Sequence, residues 1–475
     1  MSSTLAPSDR ITTVDPASGR PLETYAEHDW AQIDAKLDRA RDAFRGWRGT
    51  SHDERASALR AVAHALRERK AELATLATRE MGKTIVEAEA EVEKCATGCD
   101  HYADHGARYL ADESAESTGS KSYVGFRPLG VLLAIMPWNF PFWQVFRAAA
   151  PALAAGNVVV LKHAANVTGC ALAVEALFRD AGLPEGVFTT LVVAGRSMER
   201  IVADPRITAV TLTGSEGAGS AVASVAGKHL KKTVLELGGS DAFIVLADAD
   251  LEAAAKIAVR ARFQNNGQSC IAAKRFIVEA PVYDAFAQAF VRHAKELIVG
   301  NPLDRATTLG PVAREDLRET LDKQVRETVA RGGKIALGGN APSRDGFYYE
   351  PTIVADVEDD TPMFAEETFG PAAALVRARD VEDAIALAND SNYGLGGNLW
   401  TADVERAQQI AARLETGGVF INGMTASDPR LPFGGVKRSG YGRELSVFGI
   451  REFVNVQTVW IGPAKEAAKA PPPAE

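Results

Sequence analysis

The chain changes its rhythm near residue 129. From 28 to 112, apolar residues recur at three- and four-residue spacing, as in Asp34-Ala-Lys-Leu-Asp-Arg-Ala-Arg-Asp-Ala-Phe44 and from Glu54 to Glu80. That is the period of helices that bury one stripe. After 129, short apolar runs alternate with amphipathic stretches. Runs at 131–136, 157–161, 189–193, 208–213, 232–236 and 242–246 predict strands, with helices at 170–182, 197–203 and 217–228 between some of them. This alternation predicts βαβ units on a parallel sheet. It resumes with a strand at 274–279, helices at 283–298 and 314–331, and further segments at 373–376 and 381–389, which predicts a second α/β domain. Segments 123–126 and 453–460 read as strands belonging to neither. No internal repeat is evident. The tail after Gly462, with Ala, Lys and three consecutive prolines, predicts disorder.

At 475 residues the chain exceeds one ordinary core, so two or three domains are expected. Apolar residues make up 46% and charged residues 24%, the balance of a globular enzyme. A net charge of −9 argues against general nucleic-acid or membrane-surface binding, and an anionic substrate would need a local basic pocket. No apolar run is long enough to cross a bilayer, and Met1 to Arg10 lacks the apolar core of a signal peptide. Four cysteines are too few for a disulfide framework in so long a chain. Cys95 and Cys99 share a helix face, but no second pair or nearby His completes a zinc site, so they read as packing residues and no metal is expected. These features predict a cytoplasmic protein without nucleic-acid or membrane partners.

Several motifs carry chemistry. Cys270 ends the run Phe263-Gln-Asn-Asn-Gly-Gln-Ser-Cys270, and Glu236 lies in Leu235-Glu236-Leu237-Gly238-Gly239. A thiol offers a nucleophile and a carboxylate a base for water. A free thiol titrates near about 8.5, so catalysis needs surroundings that favour the anion. Pro137-Trp138-Asn139-Phe140-Pro141 follows an apolar strand, where α/β folds place ligands. The Asn139 amide can donate to a developing oxyanion, or satisfy its own turn. Thr211-Leu-Thr-Gly214-Ser215-Glu-Gly-Ala-Gly219 runs from a strand through glycines into a helix, whose N-terminal amides suit a pyrophosphate, although the spacing is not that of the dinucleotide fingerprint. His163 has no evident partner and reads as structural.

Taken together in this order, the motifs resemble the aldehyde dehydrogenase superfamily over about residues 10 to 462. The resemblance implies a Rossmann-like nucleotide-binding domain (1–110 and 129–237), an α/β catalytic domain (238–438), and a small β oligomerisation element (111–128 and 450–462) that pairs across subunits. Residues 463–475 are left as a disordered tail. It also implies that Cys270 is the nucleophile, Glu236 the base for thioester hydrolysis, and Asn139, with the Cys270 amide, the oxyanion donor. Cofactor contacts fall by the same match to Trp138, Lys162, Gly214, Ser215, Gly219, Leu237, Glu367 and Phe369. Many NAD-preferring members carry a Glu where this chain has Ala165. Without a carboxylate to repel a 2′-phosphate, NADP is slightly favoured and NAD is not excluded. Pro432-Phe-Gly-Gly-Val-Lys-Arg-Ser-Gly440 and Gly442-Arg-Glu444 look like the family's C-terminal signature and are assigned to positioning the site. A homodimer or homotetramer is expected.

The aldehyde is less sharply marked. Arg147 matches an Arg that succinate-semialdehyde-oxidising members use for the distal carboxylate, and Ser427 lies where they place a hydroxyl. The Lys-His-Ala-x-Asn stretch at 162–166 resembles a bacterial subgroup with that activity. Where some of these enzymes carry a second Arg this chain has Gln264, and Arg430 is a candidate to compensate. Phe140, Phe142, Trp143 and Phe263 would equally suit an apolar or aromatic aldehyde. Succinate semialdehyde is therefore the first expectation and a general aldehyde oxidiser the second. Glu236 disfavours a CoA-acylating enzyme, and the phosphate-loop match disfavours a thiol esterase. Position 272 is Ala, so no neighbouring Cys there can pair with the nucleophile.

Overall fold

The computed structural model describes residues 10–462, so the expected tail at 463–475 lies outside the described residues. The helical stretch resolves into Trp30–Trp47, His52–Glu68, Lys70–Met81 and Ile85–Tyr109. Asp29 and Ser51 each open a helix with a capping box, Thr84 caps the last, and Gly82 ends the third at φ 84. These helices and the first sheet share one apolar core, in which Leu37, Leu59, Leu73 and Val92 are buried with Leu133 and Val160.

The first sheet holds five parallel strands. In chain order they are Val131–Met136, Val158–His163, Phe188–Thr190, Ile207–Thr213 and Lys232–Glu236, and they lie side by side as third, second, first, fourth, fifth. The order reverses between Val131–Met136 and Ile207–Thr213, and open α/β sheets bind dinucleotides at the carboxyl ends of such a switch point. Gly440–Tyr441 adds an antiparallel edge, with Gly440 opposite Glu236.

After Glu236 the chain crosses directly into a second sheet of seven strands. Its order is Lys334–Leu337, Thr352–Ala355, Ala372–Ala378, Ala273–Glu279, Asp241–Val245, Gly396–Trp400 and Gly418–Ile421, parallel except for the first pair. Asp241 pairs with Ala273. Glu236 and Cys270 stand just ahead of these two adjacent strand starts, so the register brings both segments to one edge.

The strand expected at 189–193 stops at Thr190. Beyond it Val192 exchanges backbone hydrogen bonds with His28 and its ring rather than with the sheet. The helix expected to 298 ends at Ala294. A hairpin at Arg10–Asp15 and Arg20–Ala26 precedes the helices, and Gly396–Trp400 and Gly418–Ile421 add strands whose glycines disguise them in the sequence. The two leftover strands pair with each other, Val454–Ile461 antiparallel to Lys121–Pro128, with Glu113–Ser114 outside.

Asn157 ties this three-stranded arm to the first sheet. Its Oδ1 accepts from the N–H groups of Leu129 (2.8 Å) and Gly130 (3.0 Å), and its Nδ2 donates to the Phe453 carbonyl (2.8 Å). Asn157→Leu strands all three groups and should destabilise the full chain by about 2–4 kcal/mol. The urea midpoint should fall accordingly, and an unchanged midpoint would mean that the amide is dispensable.

Candidate active site

The loop before Cys270 is held in a conformation few residues accept. Asn265 (φ 56), Asn266 (φ 57) and Gly267 (φ 73) are left-handed in succession. Asparagine tolerates this region because its short amide bonds locally. Asn265 Nδ2 donates to the carbonyls of Asn139 and Gln268, both at 2.9 Å. Asn266 donates to the carbonyls of Gly82 and Pro311 (2.8 Å each) and accepts from the Gly310 N–H (2.7 Å). A Cβ on Gly267 would collide with the Gly370 carbonyl. Fully buried Arg262 donates to the carbonyls of Ala273, Gly267 and Thr368 at 3.1, 3.0 and 3.1 Å, and to that of Gly370. One guanidinium thus closes the loop onto the 366–371 segment.

Cys270 is half-buried, and burial pushes its thiol up to about 12, opposed by the cations of Arg147 and Lys274. Among the described residues its backbone N–H has no hydrogen-bond partner. Asn139 is buried and spends one amide hydrogen on the Gln268 carbonyl (3.0 Å), which leaves the second for a ligand. Glu236 is also buried, and neither carboxylate oxygen has a hydrogen bond. Burial first, then Glu444, drive its carboxyl well above the usual range against the pull of Arg147 and Arg443. A Cβ on Gly434 would lie 2.7 Å from Glu236 Oε1, so that glycine leaves room for the carboxylate.

Cys270 borders a cavity of about 790 Å³ whose wall includes Phe140, Trp143 and Phe263. Gln264, Arg147 and Ser427 also border it, whereas Glu236 and Asn139 do not. Arg147 is ion-paired through Nε to buried Glu444, donates to Thr213 Oγ1 (3.3 Å), and lies 4.4 Å from the Phe433 ring centre. Ser427 accepts from Lys94 Nζ (2.7 Å) and Trp143 Nε1 (3.0 Å). Arg430 does not reach the cavity. It is exposed and paired to Asp428 beside it. Phe142 is fully buried and off the wall.

At the switch point, Gly214 and Ser215 lead into the helix Glu216–Lys228, and Ser215 caps it by accepting from the Ala218 N–H (3.3 Å). Nothing stands within 4 Å of a Cβ built on Gly217, so the helix end is open. A Cβ on Gly219 would strike Leu237 at 2.6 Å, and the Leu237 N–H donates to the Ser439 carbonyl (2.9 Å). Lys162, next to last in its strand, is half-buried, its ammonium without a partner among the described residues, and burial lowers its pKa. Ala165 is exposed beside it. Glu367 accepts from the Gly239 N–H (3.0 Å), and Phe369 stands edge-on to Trp138 with ring centres 5.7 Å apart. His163 is structural, as expected. It is buried, its Nδ1 accepts from the Ala164 N–H (2.9 Å), its Nε2 donates to the Pro141 carbonyl (2.8 Å), and burial lowers it to about 4. Cys95, Cys99 and Cys170 are buried.

Two groups shape this site beyond what the sequence showed: Glu444, read there only as part of the C-terminal signature, and Lys274, which was passed over. Glu444 neutralises Arg147. Lys274 is fully buried and donates to the carbonyls of Ser269 (3.0 Å), Cys270 (2.8 Å) and Ala272 (3.2 Å), with Glu367 at 3.7 Å. The available signal was Lys274-Arg275 opening an otherwise apolar strand.

The sequence model described as Aldehyde dehydrogenase family matches residues 4–459. The chain is 52% identical to a probable succinate-semialdehyde dehydrogenase [NADP(+)] of Synechocystis sp., covering 95% of this chain and 99% of that one. It is 50% identical to a succinate semialdehyde dehydrogenase [NAD(P)+] of Escherichia coli, covering 96% and 99%. The crystal structure of succinic semialdehyde dehydrogenase from Streptococcus pyogenes with NADP+ superposes with a TM-score of 0.93 at 39% identity, covering 95% and 100%.

With the thiol raised so far, alkylation of Cys270 by iodoacetamide should climb about tenfold per pH unit between pH 7 and 9. Mass spectrometry should find one adduct, since the other cysteines are buried. Lys274→Met removes a cation that favours the thiolate and should slow alkylation at pH 8 several-fold. Equal rates would remove Lys274 from thiol activation.

Proposed function

The chain belongs to the aldehyde dehydrogenase family, and from that premise we propose that it oxidises succinate semialdehyde to succinate with NADP preferred over NAD. The observation that carries the carboxylate is the charge around the cavity. Its two acids are engaged elsewhere: Glu87 accepts from Asn265 N–H (2.7 Å), and Glu91 pairs with Lys83 and accepts from the N–H groups of Phe142 and Trp143 (2.8 Å each). Of its cations, Arg147 is balanced by Glu444, but Lys94, Lys256 and Arg260 have no acid within ion-pair distance among the described residues. The net-basic lining suits an anionic aldehyde, although the whole chain is acidic. The relatives' names agree in substrate.

In this reading Cys270 Sγ adds to the aldehyde carbon, and the oxygen takes its negative charge against the Cys270 N–H and the second amide hydrogen of Asn139. NADP, when bound, supplies the electron acceptor that takes hydride from the tetrahedral carbon. Glu236 then accepts a proton from the water that attacks the thioester, releasing carboxylate and restoring the thiol. Overall, aldehyde, NADP+ and water give carboxylate, NADPH and two protons. The chain fits the cofactor through the open helix end at Gly214–Gly217, Glu367 bridging the Gly239 amide and Lys274, and the Trp138–Phe369 pair. Lys162 with Ala165 offers a 2′-phosphate a cation and no opposing carboxylate.

The same reading keeps the domain limits set out above. It also takes the protein as a cytoplasmic homo-oligomer; no helix among the described residues is long and apolar enough to cross a membrane. Oligomerisation is supported by the arm's edge strand, where Val456, Trp460 and Ile461 are 61%, 52% and 46% exposed. The aromatic wall of Phe140, Trp143 and Phe263 favours a second reading, a broad oxidiser of apolar aldehydes.

Initial rates with succinate semialdehyde and with butanal, each with NAD and NADP, separate these readings. The semialdehyde with NADP should give the highest kcat/KM, and equal rates on both aldehydes would favour the broad oxidiser. Glu236→Gln should keep a burst of NADPH and lose about 10²–10⁴-fold in steady-state turnover. Full turnover in that variant would exclude Glu236 as the base. Because the carboxyl is held far above its usual range, wild-type turnover limited by deacylation should rise with pH.

A further inference from the structure

We propose that Lys94, acting with Ser427, receives the distal carboxylate of the aldehyde and sets the enzyme's substrate preference. The inference rests on the carboxylate-aldehyde reading above and assigns its anchor. Arg147 borders the cavity, but it is 3% exposed, ion-paired to Glu444 and hydrogen-bonded to Thr213. An arginine whose charge is already matched by a buried carboxylate gains little from a second anion.

Lys94 is placed differently. It lies on the Ile85–Tyr109 helix, with its Nζ 2.7 Å from Ser427 Oγ and 4.6 Å from the centre of the Trp143 ring. The Trp143 indole N–H donates to the same hydroxyl oxygen at 3.0 Å. With both donors on its oxygen, the Ser427 hydroxyl still has its own hydrogen to donate. Lys94 retains two further N–H bonds, so the cluster presents only donors to the cavity. The charged or titratable groups around Lys94 are Arg147 across the cavity, Glu91 and Cys95 on its own helix, and Asp428 beside Ser427. Glu91 is taken by Lys83 and Asp428 by Arg430, and no acid lies within ion-pair distance of Lys94 among the described residues. Burial, then Arg147, lowers its pKa to about 8. An unpaired, partly desolvated ammonium gains its missing partner when an anion enters, whereas a lysine that merely packed on an indole would gain nothing.

The test compares kcat/KM for succinate semialdehyde and for butanal in wild type, Lys94→Met and Lys94→Arg, from pH 6.5 to 9. The preference for the semialdehyde should fall roughly 10–100-fold in Lys94→Met, mainly through KM, and recover in large part in Lys94→Arg. In wild type the ratio of the two kcat/KM values should decline as pH rises through about 8, where Lys94 loses its proton. Titration of Cys270 and Glu236 acts on both aldehydes and cancels in the ratio. In Lys94→Met the ratio should be flat with pH. A preference that survives in Lys94→Met with its wild-type pH profile overturns the assignment and leaves the substrate reading standing. No preference in wild type overturns the substrate reading and the anchor with it. If Lys94→Met does not fold, the wild-type ratio and Lys94→Arg still decide.

Discussion

The site depends on one parallel strand pair. Asp241–Val245 and Ala273–Glu279 lie side by side with Asp241 opposite Ala273, so the segments leading into them emerge together at one edge of the second sheet. One is the end of the first sheet with Glu236, and the other is the loop with Cys270. Ladder hydrogen bonds, not contact between the two side chains, hold those segments near each other. A shift of one residue would turn every side chain of a strand to the opposite face and separate the groups. The crossing at 237–240 is also the shortest link between the two sheets, so the carboxyl edge of the first sheet leads directly to the second beside the Cys270 loop.

Much of this was legible. The strands from 131 to 246 are continuous apolar runs because parallel sheets bury both faces, and their limits agree with the structure within a few residues. The candidate motifs sit on strand ends and turns, where backbone chemistry makes local sequence distinctive. What escaped was decided by distant partners. Val192 looks like a strand residue but bonds to His28. Gly396–Trp400 looks like a loop because its glycines make room for Asp241 and Thr425. Arg147 looks like a free cation until Glu444 is folded against it. Charge pairing across almost three hundred residues has no period, so pattern reading cannot find it.

The site's electrostatics share one cause. Burial raises the Cys270 thiol and the Glu236 carboxyl, and it lowers the ammonium groups of Lys274 and Lys162. Each group is thereby held toward its neutral form, and reactivity waits on an incoming charge or an expelled proton. Two cations work on the thiol from fixed positions, Lys274 fastened to backbone carbonyls and Arg147 to a carboxylate. Lys274 holds the loop in shape, and the two cations together draw the thiol's proton affinity down.

The clamped loop also bears on chemical ageing. Asparagine followed by glycine is the pairing most prone to lose ammonia, because the glycine nitrogen can attack the side-chain amide and close a ring. Asn266 and Gly267 form such a pair immediately ahead of the proposed nucleophile. Three hydrogen bonds anchor the Asn266 amide to Gly82, Pro311 and Gly310, pinning it against that ring closure. The working lifetime of the folded protein is thus tied to how often this loop lets go, and looser variants should accumulate isoaspartate beside the thiol.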